Sequence, residues 1–294
     1  MSTEDNSKND ISSDICANCG KGEESTGSLK ACTACKLVKY CNRECQIAHR
    51  SQHKKACRKR AKELHDENLF KQPPPEHGDC PICFLRLPTL DTGRRHMACC
   101  GKVICSGCAY APVYDDKGNV IAEEKCPFCR VLPPINMNEA LTLIKKRADL
   151  NDPGAIFELG FQYSKGDHGH PQDNAKTLEL WHRAGELGYA KAYNNIGNCY
   201  NNGEGVEVDE KKAKHFYELS AMLGHKDARF MLGFGEWQAG DHHRSLKHYM
   251  IAVKNGDHDA LRISNFSIWR GLQGKKRTQQ KMIMQKHCKR IKPI

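Results

Sequence analysis

Cysteine pairs dominate the front half of the chain. Fifteen of the seventeen cysteines lie between Cys16 and Cys129, mostly as CxxC pairs, and only Cys199 and Cys288 follow. A CxxC pair can present two sulfurs to one ion across a tight turn, and thiolate is a ligand that zinc prefers. The first residues do not form a signal peptide, and cytosolic thiols stay reduced, so the pairs indicate metal rather than disulfides. The sequence therefore predicts a zinc-rich front and a different domain behind it.

The first cluster offers eight soft ligands, which are enough for two closed tetrahedral sites. They are Cys16, Cys19, Cys32, Cys35, Cys41, Cys45, His53 and Cys57. Four protein ligands leave no open position, so both sites are expected to be structural rather than catalytic. Cys41 and Cys45 are spaced four apart, as are His53 and Cys57, which places each pair on one face of a helical turn.

The order CxxC, CxxC, KYCNREC, HKKAC resembles a MYND finger over residues 16–57, with every ligand position filled. The resemblance implies a cross-brace of two zinc ions. One ion takes Cys16, Cys19, Cys41 and Cys45, and the other takes Cys32, Cys35, His53 and Cys57.

MYND fingers are protein-interaction modules, and some bind proline-rich peptides in a shallow groove. The wall of that groove includes a tryptophan five residues after the sixth ligand, a position that Arg50 occupies here, although Gln46 is kept. Arginine cannot offer the same apolar wall. The resemblance therefore implies protein binding but not this particular peptide.

A second cluster begins with CPIC at 80–83, continues through CCGKVICSGC at 99–108 and closes with CPFCR at 126–130. This order resembles a RING finger across residues 80–130. In that family the first and third ligand pairs share one zinc. The resemblance implies a complete site made of Cys80, Cys83, Cys105 and Cys108.

The other zinc site of this finger lacks the histidine that RING fingers usually carry. Lys102 stands at that position, and an ammonium has no lone pair to offer a metal. The remaining ligands are Cys100, Cys126 and Cys129. A variant of the family in which all eight ligands are cysteine takes a thiolate just upstream. The sequence favours Cys99 as its counterpart, with His96 as the alternative.

A RING ligase has no nucleophile of its own, so no catalytic residue is predicted. It holds a ubiquitin-conjugating enzyme and its charged ubiquitin in a reactive orientation. In the family this depends on an aliphatic residue in the first CxxC, a proline in the last, and a basic residue after the last ligand. Their counterparts are Ile82, Pro127 and Arg130. Against activity, Pro112 occupies the position where many active members carry a tryptophan.

Behind the fingers the sequence repeats every 36 or 37 residues, as AIFELGFQYSKG, AYNNIGNCYNNG and ARFMLGFGEWQAG. The shared glycines are Gly160, Gly197 and Gly233. A second helical stretch follows each one, and its aromatic residues in register are Trp181, Tyr217 and Tyr249. This period indicates stacked helical pairs, because one pair cannot bury its own apolar face. Small residues let the helices approach closely, and we expect the aromatics to fill the layer between units.

The pattern resembles Sel-one-like repeats, relatives of the tetratricopeptide repeat, over about residues 152–273. The resemblance implies a curved scaffold that binds other proteins. Cys199 lies on the apolar face of a repeat helix, where a packed thiol is expected. The histidines, such as His242 and His243, form no ligand spacing with cysteines and are expected at the surface.

The predicted fold class is multidomain, with two small zinc-stabilised cross-brace fingers followed by an all-α solenoid of helical-pair repeats. The predicted boundaries are a disordered N-terminus (1–15), a MYND finger (16–57), a basic helix with a Pro-rich linker (58–79), a RING-like finger (80–130), a linker helix (131–151), helical repeats (152–273) and a basic tail (274–294). Four zinc ions are the predicted cofactors.

Charge and hydropathy narrow the functional classes. The chain has no run of eighteen apolar residues and a polar start, so we expect neither a membrane span nor secretion, and a cytoplasmic or nuclear location. The net charge is +11, and basic residues gather at 53–62 and in the last twenty residues. Such segments can bind nucleic acid or acidic partners, and a solvated helix face with a frayed tail is the alternative.

Two functions remain open. The first is an adaptor or ubiquitin ligase that recruits protein substrates through the MYND finger and the repeats, and a ubiquitin-conjugating enzyme with ubiquitin through the RING-like finger. The second is a non-enzymatic zinc scaffold whose RING-like module only binds protein. Lysine methyltransfer, which some MYND proteins perform, is disfavoured because the chain leaves no room for a SET fold.

Overall fold

The computed structural model describes residues 14–73, 78–87, 93–114, 117–121, 125–166, 171–255 and 260. The predicted basic tail, nearly all of the predicted disordered N-terminus and the predicted start of a fourth repeat lie outside these residues. The chain divides into two compact units, Met1–Lys71 and Gln72–Ile294.

The first unit is made of short elements around a cysteine-rich core. Its elements are α1 (Glu23–Thr26), β1 (Lys30–Ala31), β2 (Lys39–Tyr40), α2 (Arg43–Ala48) and α3 (Arg50–Leu69). Strands β1 and β2 pair antiparallel. The core consists of Cys16, Cys32, Cys35 and Tyr40. Because three of these four are cysteines from CxxC pairs, apolar burial alone gives this unit little stability.

Helix α3 runs past the predicted end of the finger at residue 57. It continues without a break from Arg50 to Leu69, so the finger's last helix and the predicted basic helix are one element. Arg60 pairs with Glu63 and Glu67 at 3.3 and 2.9 Å along its exposed face. Such pairs support a helix that has few apolar residues of its own.

The second unit begins with the other cysteine-rich finger. Its elements are β3 (Arg94–His96), β4 (Val103–Cys105), α4 (Ser106–Ala109), β5 (Val113–Tyr114) and β6 (Val120–Ile121). Strands β3 and β4 pair antiparallel, and β5 pairs with β6. Cys80, Leu87 and Ile104 form the small buried core.

Seven helices follow in the described part of the chain up to residue 255. They are α5 (Met137–Asp149), α6 (Pro153–Lys165), α7 (Asn174–Glu186), α8 (Ala190–Asn202), α9 (Glu210–Met222), α10 (Lys226–Gln238) and α11 (His242–Lys254). Helix α5 lies within the predicted linker helix, and α6 to α11 form the three predicted helical pairs. Aspartates cap four of the pair helices by accepting a backbone N–H, which stabilises each start by about 1 kcal/mol. They are Asp152, Asp173, Asp209 and Asp241. Among the described residues, no helix combines the length and the apolar character needed to cross a bilayer.

In each helical pair, an aromatic ring of the second helix packs directly on a glycine of the first helix. A Cβ added at Gly160 would lie 2.8 Å from Trp181, and one at Gly233 would lie 2.8 Å from Tyr249. The Trp181 indole also donates to the Phe157 carbonyl at 3.2 Å. Glycine and ring belong to the same pair, and Trp181 also shares a buried cluster with Ile196 of the next pair, so these rings pack within a pair as well as toward the next unit. They lie where the two helices of one pair approach most closely.

Other residues join one pair to the next. Gly185 of α7 lies against the ring of Tyr193 in α8. Arg229 of α10 is almost fully buried and donates to the Ala221 carbonyl of α9 at 2.7 Å. Burial lowers the pKa of this guanidinium to about 10. The layer between units is therefore held partly by polar contacts.

Not all repeat histidines lie at the surface. His242 and His243 are exposed as expected, but His225 and His248 are buried. His225 caps α10 by accepting the Ala228 N–H, which gives the ring a structural role inside the fold. Burial, with Arg229, Arg244 and Lys214 as nearby cations, lowers the pKa of His248 to about 3. The Cys199 thiol is buried as predicted.

The glycine contacts give opposite expectations for two helix-interior glycines. Gly197→Ala should destabilise the repeats by about 1–3 kcal/mol, because its Cβ would lie 2.7 Å from the Tyr217 ring. Gly235→Ala is the matched control, since nothing lies within 4 Å of its Cβ and alanine favours a helix by up to about 1 kcal/mol. Thermal unfolding followed by circular dichroism measures both. Equal effects of the two changes would contradict this packing.

Candidate metal centres

Among the residues that the structure describes, four groups of side chains bring their ligand atoms within 4.8 Å of one another. The first finger holds Cys16, Cys19, Cys41 and Cys45 in one group, and Cys32, Cys35, His53 and Cys57 in the other. The second finger holds Cys80, Cys83, Cys105 and Cys108 in one group, and Cys99, Cys100, Cys126 and Cys129 in the other. Sixteen of the sequence-predicted ligands thus lie in the groups in which they were expected.

Both fingers use their ligand pairs in alternation along the chain. The first and third pairs meet, and so do the second and fourth. Each group therefore joins segments that are separated by the ligands of the other group. This interleaving ties the whole of each finger together through two centres.

The distances between ligand atoms suit a tetrahedral ion. The Sγ–Sγ distances are 3.7 Å for Cys19–Cys41 and Cys83–Cys105, 3.8 Å for Cys32–Cys57 and 3.9 Å for Cys100–Cys126. Four sulfurs about 2.3 Å from a zinc lie about 3.8 Å apart, whereas a disulfide has sulfurs about 2 Å apart. The sixteen cysteines among the described residues are all free. The donor sets therefore fit zinc.

Four CxxC pairs share one backbone turn. The residue after the second cysteine has a positive φ and donates its N–H to the carbonyl of the first cysteine. These donors are Gly20 to Cys16 at 2.8 Å, Lys36 to Cys32 at 3.0 Å, Phe84 to Cys80 at 2.8 Å and Arg130 to Cys126 at 2.9 Å. A left-handed conformation is costly for residues other than glycine, and the turn imposes it to point both sulfurs to one side.

Helical ligands complete the first finger. Asn42 caps α2 by accepting the Cys45 N–H at 2.8 Å, which fixes Cys45 in the first turn. Cys41 precedes this helix, which begins at Arg43, so the prediction that Cys41 and Cys45 lie on one face of a helical turn is wrong. His53 and Cys57 lie four residues apart in α3, as predicted, and His53 Nε2 is 3.2 Å from Cys35 Sγ. The long helix thus delivers two ligands to one centre.

In each group one thiol has a lowered pKa and therefore ionises before the others. Burial opposes ionisation of these sulfurs, but backbone N–H groups of the turn hydrogen-bond to them and lower the pKa. The pKa falls to about 6 for Cys16, Cys32 and Cys80, and to about 7 for Cys126. At neutral pH each group therefore offers a thiolate that can start metal binding.

In each group at least one other thiol resists ionisation. Burial and hydrogen bonds with neighbouring thiols raise the pKa of Cys41, Cys57 and Cys108 to about 12, and raise that of Cys99 as well. Several negative charges a few ångströms apart repel one another in the absence of a cation. A divalent ion removes this cost, so metal binding is expected to release protons.

The structure brings Cys99, not His96, to the incomplete group of the second finger. Cys99 Sγ lies 3.4 Å from that of Cys129. His96 sits in β3 opposite Val103 and is not part of the group. Lys102 is exposed, with its ammonium 5.9 Å from the centre of the Phe128 ring.

The residues predicted to contact a conjugating enzyme lie on the cysteine turns of the second finger. Ile82 is 36% exposed, Pro127 is half-buried and Arg130 is exposed. Two neighbours along the chain that the sequence reasoning missed, Phe84 and Leu85, are 78% and 68% exposed. Their position directly after an ordered CxxC turn is the signal that could have found them.

A buried arginine joins the second finger to the helices. Arg147 of α5 donates to the Ala98 carbonyl at 2.9 Å and pairs with Asp152, the cap of α6, at 2.8 Å. Gly101 has a φ of 70° and lies against this ion pair, so a side chain there would collide with the guanidinium. The loop that carries Cys99 and Cys100 is therefore fixed to the start of the repeats. The sequence reasoning did not find this contact.

Comparison with known protein families identifies two of the three parts. The MYND finger model matches residues 16–57, and the Sel1 repeat model matches residues 153–189 and 190–225. These matches confirm the first finger and two of the three helical pairs. The chain therefore contains a MYND zinc finger and Sel1 repeats, both of which are protein-interaction modules.

Similar proteins share only part of their length with the chain. Chitin synthase regulatory factor 4 of Schizosaccharomyces pombe is 29% identical over 129 residues, which are 44% of this chain and 20% of that protein. The chain thus spans about a fifth of this relative.

Parts of several solved structures are also similar to the chain. A Sel1 repeat protein from Oxalobacter formigenes is 29% identical, with 49% of this chain and 60% of that chain covered and a TM-score of 0.44. The protein c5321, a protective antigen of uropathogenic Escherichia coli that displays an SLR fold, is 26% identical. The match covers 47% of this chain and 29% of that chain, with a TM-score of 0.41. Helicobacter pylori cysteine rich protein B is 23% identical. The match covers 43% of this chain and 92% of that chain, with a TM-score of 0.34.

Substitution of two left-handed glycines tests the junction at Arg147. Gly118→Ala should cost only backbone strain, about 1–2 kcal/mol, because its Cβ meets nothing within 4 Å. Gly101→Ala should cost roughly 2 kcal/mol more, since it also displaces the Arg147–Asp152 pair. Hydrogen exchange should then accelerate around residues 97–101 and 147–155 in Gly101→Ala only. Protection that matches the control would mean that the contact is not important for docking.

Proposed function

We propose that this protein, which carries a MYND finger and Sel1 repeats, is a zinc-dependent adaptor that brings protein substrates to a ubiquitin-conjugating enzyme. The MYND finger and the repeats hold the substrate, and the second finger, as a RING-like module, holds the enzyme and its charged ubiquitin. The observation that carries the proposal is the exposure of Ile82 and Arg130 on the ordered turns of the second finger.

Four zinc ions, one in each ligand group, are part of this proposal. Zinc, when bound, would cross-link the four side chains of its group. The supporting observations are the tetrahedral sulfur spacing and the low-pKa thiol in every group. No group has an open ligand position, so the role of all four is to fix the fold.

The second finger offers the two kinds of contact that a RING-type ligase needs. Ile82, Phe84 and Leu85 expose apolar surface around the first turn, and such surface is stabilised when a partner covers it. Arg130 follows the last ligand and is exposed, and its guanidinium has donors arranged to bridge two carbonyl groups. The contribution to transfer is orientation alone, because the partner enzyme carries the reactive thioester.

A non-enzymatic scaffold is the second candidate. Pro112 is exposed at the position where many active RING fingers carry a tryptophan, which removes part of the expected docking surface. In this case the same turns bind a protein without promoting transfer. We propose a cytoplasmic or nuclear location for either function, which the many free thiols support because these compartments keep thiols reduced.

Zinc stoichiometry separates the two candidates for the last ligand. Native mass spectrometry of the purified protein should count four zinc ions per chain. Cys99→Ser should lower the count to three, because a hydroxyl is a poor zinc ligand, while His96→Ala should retain four. Three ions in His96→Ala together with four in Cys99→Ser would assign the site to His96 instead.

Ubiquitin transfer tests the proposed activity. With a panel of conjugating enzymes, the wild-type chain should form polyubiquitin, and Ile82→Ala or Arg130→Ala should slow this about tenfold or more, as expected for the loss of one orienting contact. Lys125→Ala is the matched control, since it removes an exposed cation just before Cys126.

All four proteins in this assay must carry the same zinc content. Polyubiquitin that resists both substitutions would place the docking surface elsewhere. If no polyubiquitin forms with any of the enzymes, the ligase function is contradicted and the non-enzymatic scaffold is favoured.

A further inference from the structure

A groove of about 480 Å³ lies on the first finger along α2 and α3. Its apolar lining includes Ala34, Tyr40 and Ile47, of which Ile47 is 60% exposed. Four cations also line it: Arg43, Arg50, Lys54 and Arg58. Among the described residues, no carboxylate lines this groove. The apolar surface that Ala34 and Ile47 expose is thus bordered by charge of one sign.

The four cations are exposed and concentrated on one side. Arg50, Lys54 and Arg58 follow one another at intervals of four residues, which places them on one face of α3. Within the described residues none of the four forms an ion pair, whereas Arg60 on the same helix pairs with two glutamates. Like charges at this spacing repel one another, so a bound anion would be stabilised.

The nearby ligand group does not cancel this charge. Zinc held by three thiolates and one neutral imidazole carries a single net negative charge, which the four cations outnumber. Guanidinium groups bind carboxylates through two parallel hydrogen bonds, so Arg43, Arg50 and Arg58 are suited to acidic side chains.

We propose that this groove binds an acidic, extended segment of a partner protein. The carboxylates of the segment pair with the cations, and an apolar side chain packs on Ile47. A protein partner is favoured over nucleic acid because single-stranded bases stack on exposed aromatic rings. Of the two rings that line the groove, Tyr40 is only 3% exposed, and His53 is half-buried and belongs to a ligand group. The inference concerns the first finger and stands independently of ligase activity in the second.

Selection from a random twelve-residue peptide library tests the proposal. The bait is the zinc-loaded full-length chain, immobilised as wild type, as Arg50→Glu/Arg58→Glu and as Lys55→Glu/Lys59→Glu. The second pair lies on the same helix outside the groove and changes the net charge equally. Wild type and the Lys55/Lys59 variant should enrich peptides rich in aspartate and glutamate, and the Arg50/Arg58 variant should not.

Affinity of the selected peptides provides the second measurement. By fluorescence polarisation, Arg50→Glu/Arg58→Glu should weaken binding about tenfold or more, and the Lys55/Lys59 variant less than about threefold, because distant charges are screened by salt. Replacing glutamate by glutamine in the peptide should cause a similar loss. Zinc content and helicity of each variant are checked first, and Arg50→Gln/Arg58→Gln replaces any charge reversal that fails to fold.

Several results would overturn the proposal. Enrichment of neutral proline-rich peptides would assign the groove to a different ligand. Equal losses in the two charge-reversed variants would mean that only the overall charge matters. Failure of wild type to enrich any acidic sequence, or displacement of the peptides by an unrelated single-stranded oligonucleotide at equal concentration, would also contradict it. None of these measurements uses ubiquitin, so they are independent of the ligase test.

Discussion

The interleaving of ligand pairs is the constraint on which both fingers depend. Neither finger buries enough apolar surface to hold its short strands and turns in place, and several of its most buried residues are ligands. Each group gathers thiols that repel one another once ionised, so the fold and the cation require each other. The partner surfaces proposed on the two fingers are built on these turns or on the helices beside them.

The helical repeats are held together by side-chain packing instead of by metal ligands. Gly160, Gly197 and Gly233 allow an aromatic ring to lie directly on the neighbouring helix, and aspartate caps define where the helices begin. These contacts are local and recur in every pair, so the repeats need no metal. The chain therefore combines modules that depend on metal with a scaffold that depends on its core.

Much of this architecture could be predicted from sequence because its signals are discrete. Ligand spacing led to the same four groups that the structure brings together, with Cys99 in the last of them, and the glycine period led to three helical pairs. What could not be predicted depends on long-range packing. Which glycine an aromatic ring lies on, and whether His248 is buried, is decided by residues far along the chain. The Arg147 contact spans 49 residues and ends on a backbone atom, so no side-chain pattern signals it.

The residues that form this contact also differ in how well they tolerate substitution. Arg147 is bound by the carbonyl of residue 98, and every amino acid supplies a carbonyl, so side-chain changes at Ala98 preserve the acceptor. Arg147, Asp152 and Gly101 have no such freedom, since charge, cap and the absence of a side chain are all required. The finger can therefore vary in sequence at Ala98 but not at Gly101, while both helical residues stay fixed. A different finger with the same loop could be exchanged onto these repeats without redesigning them.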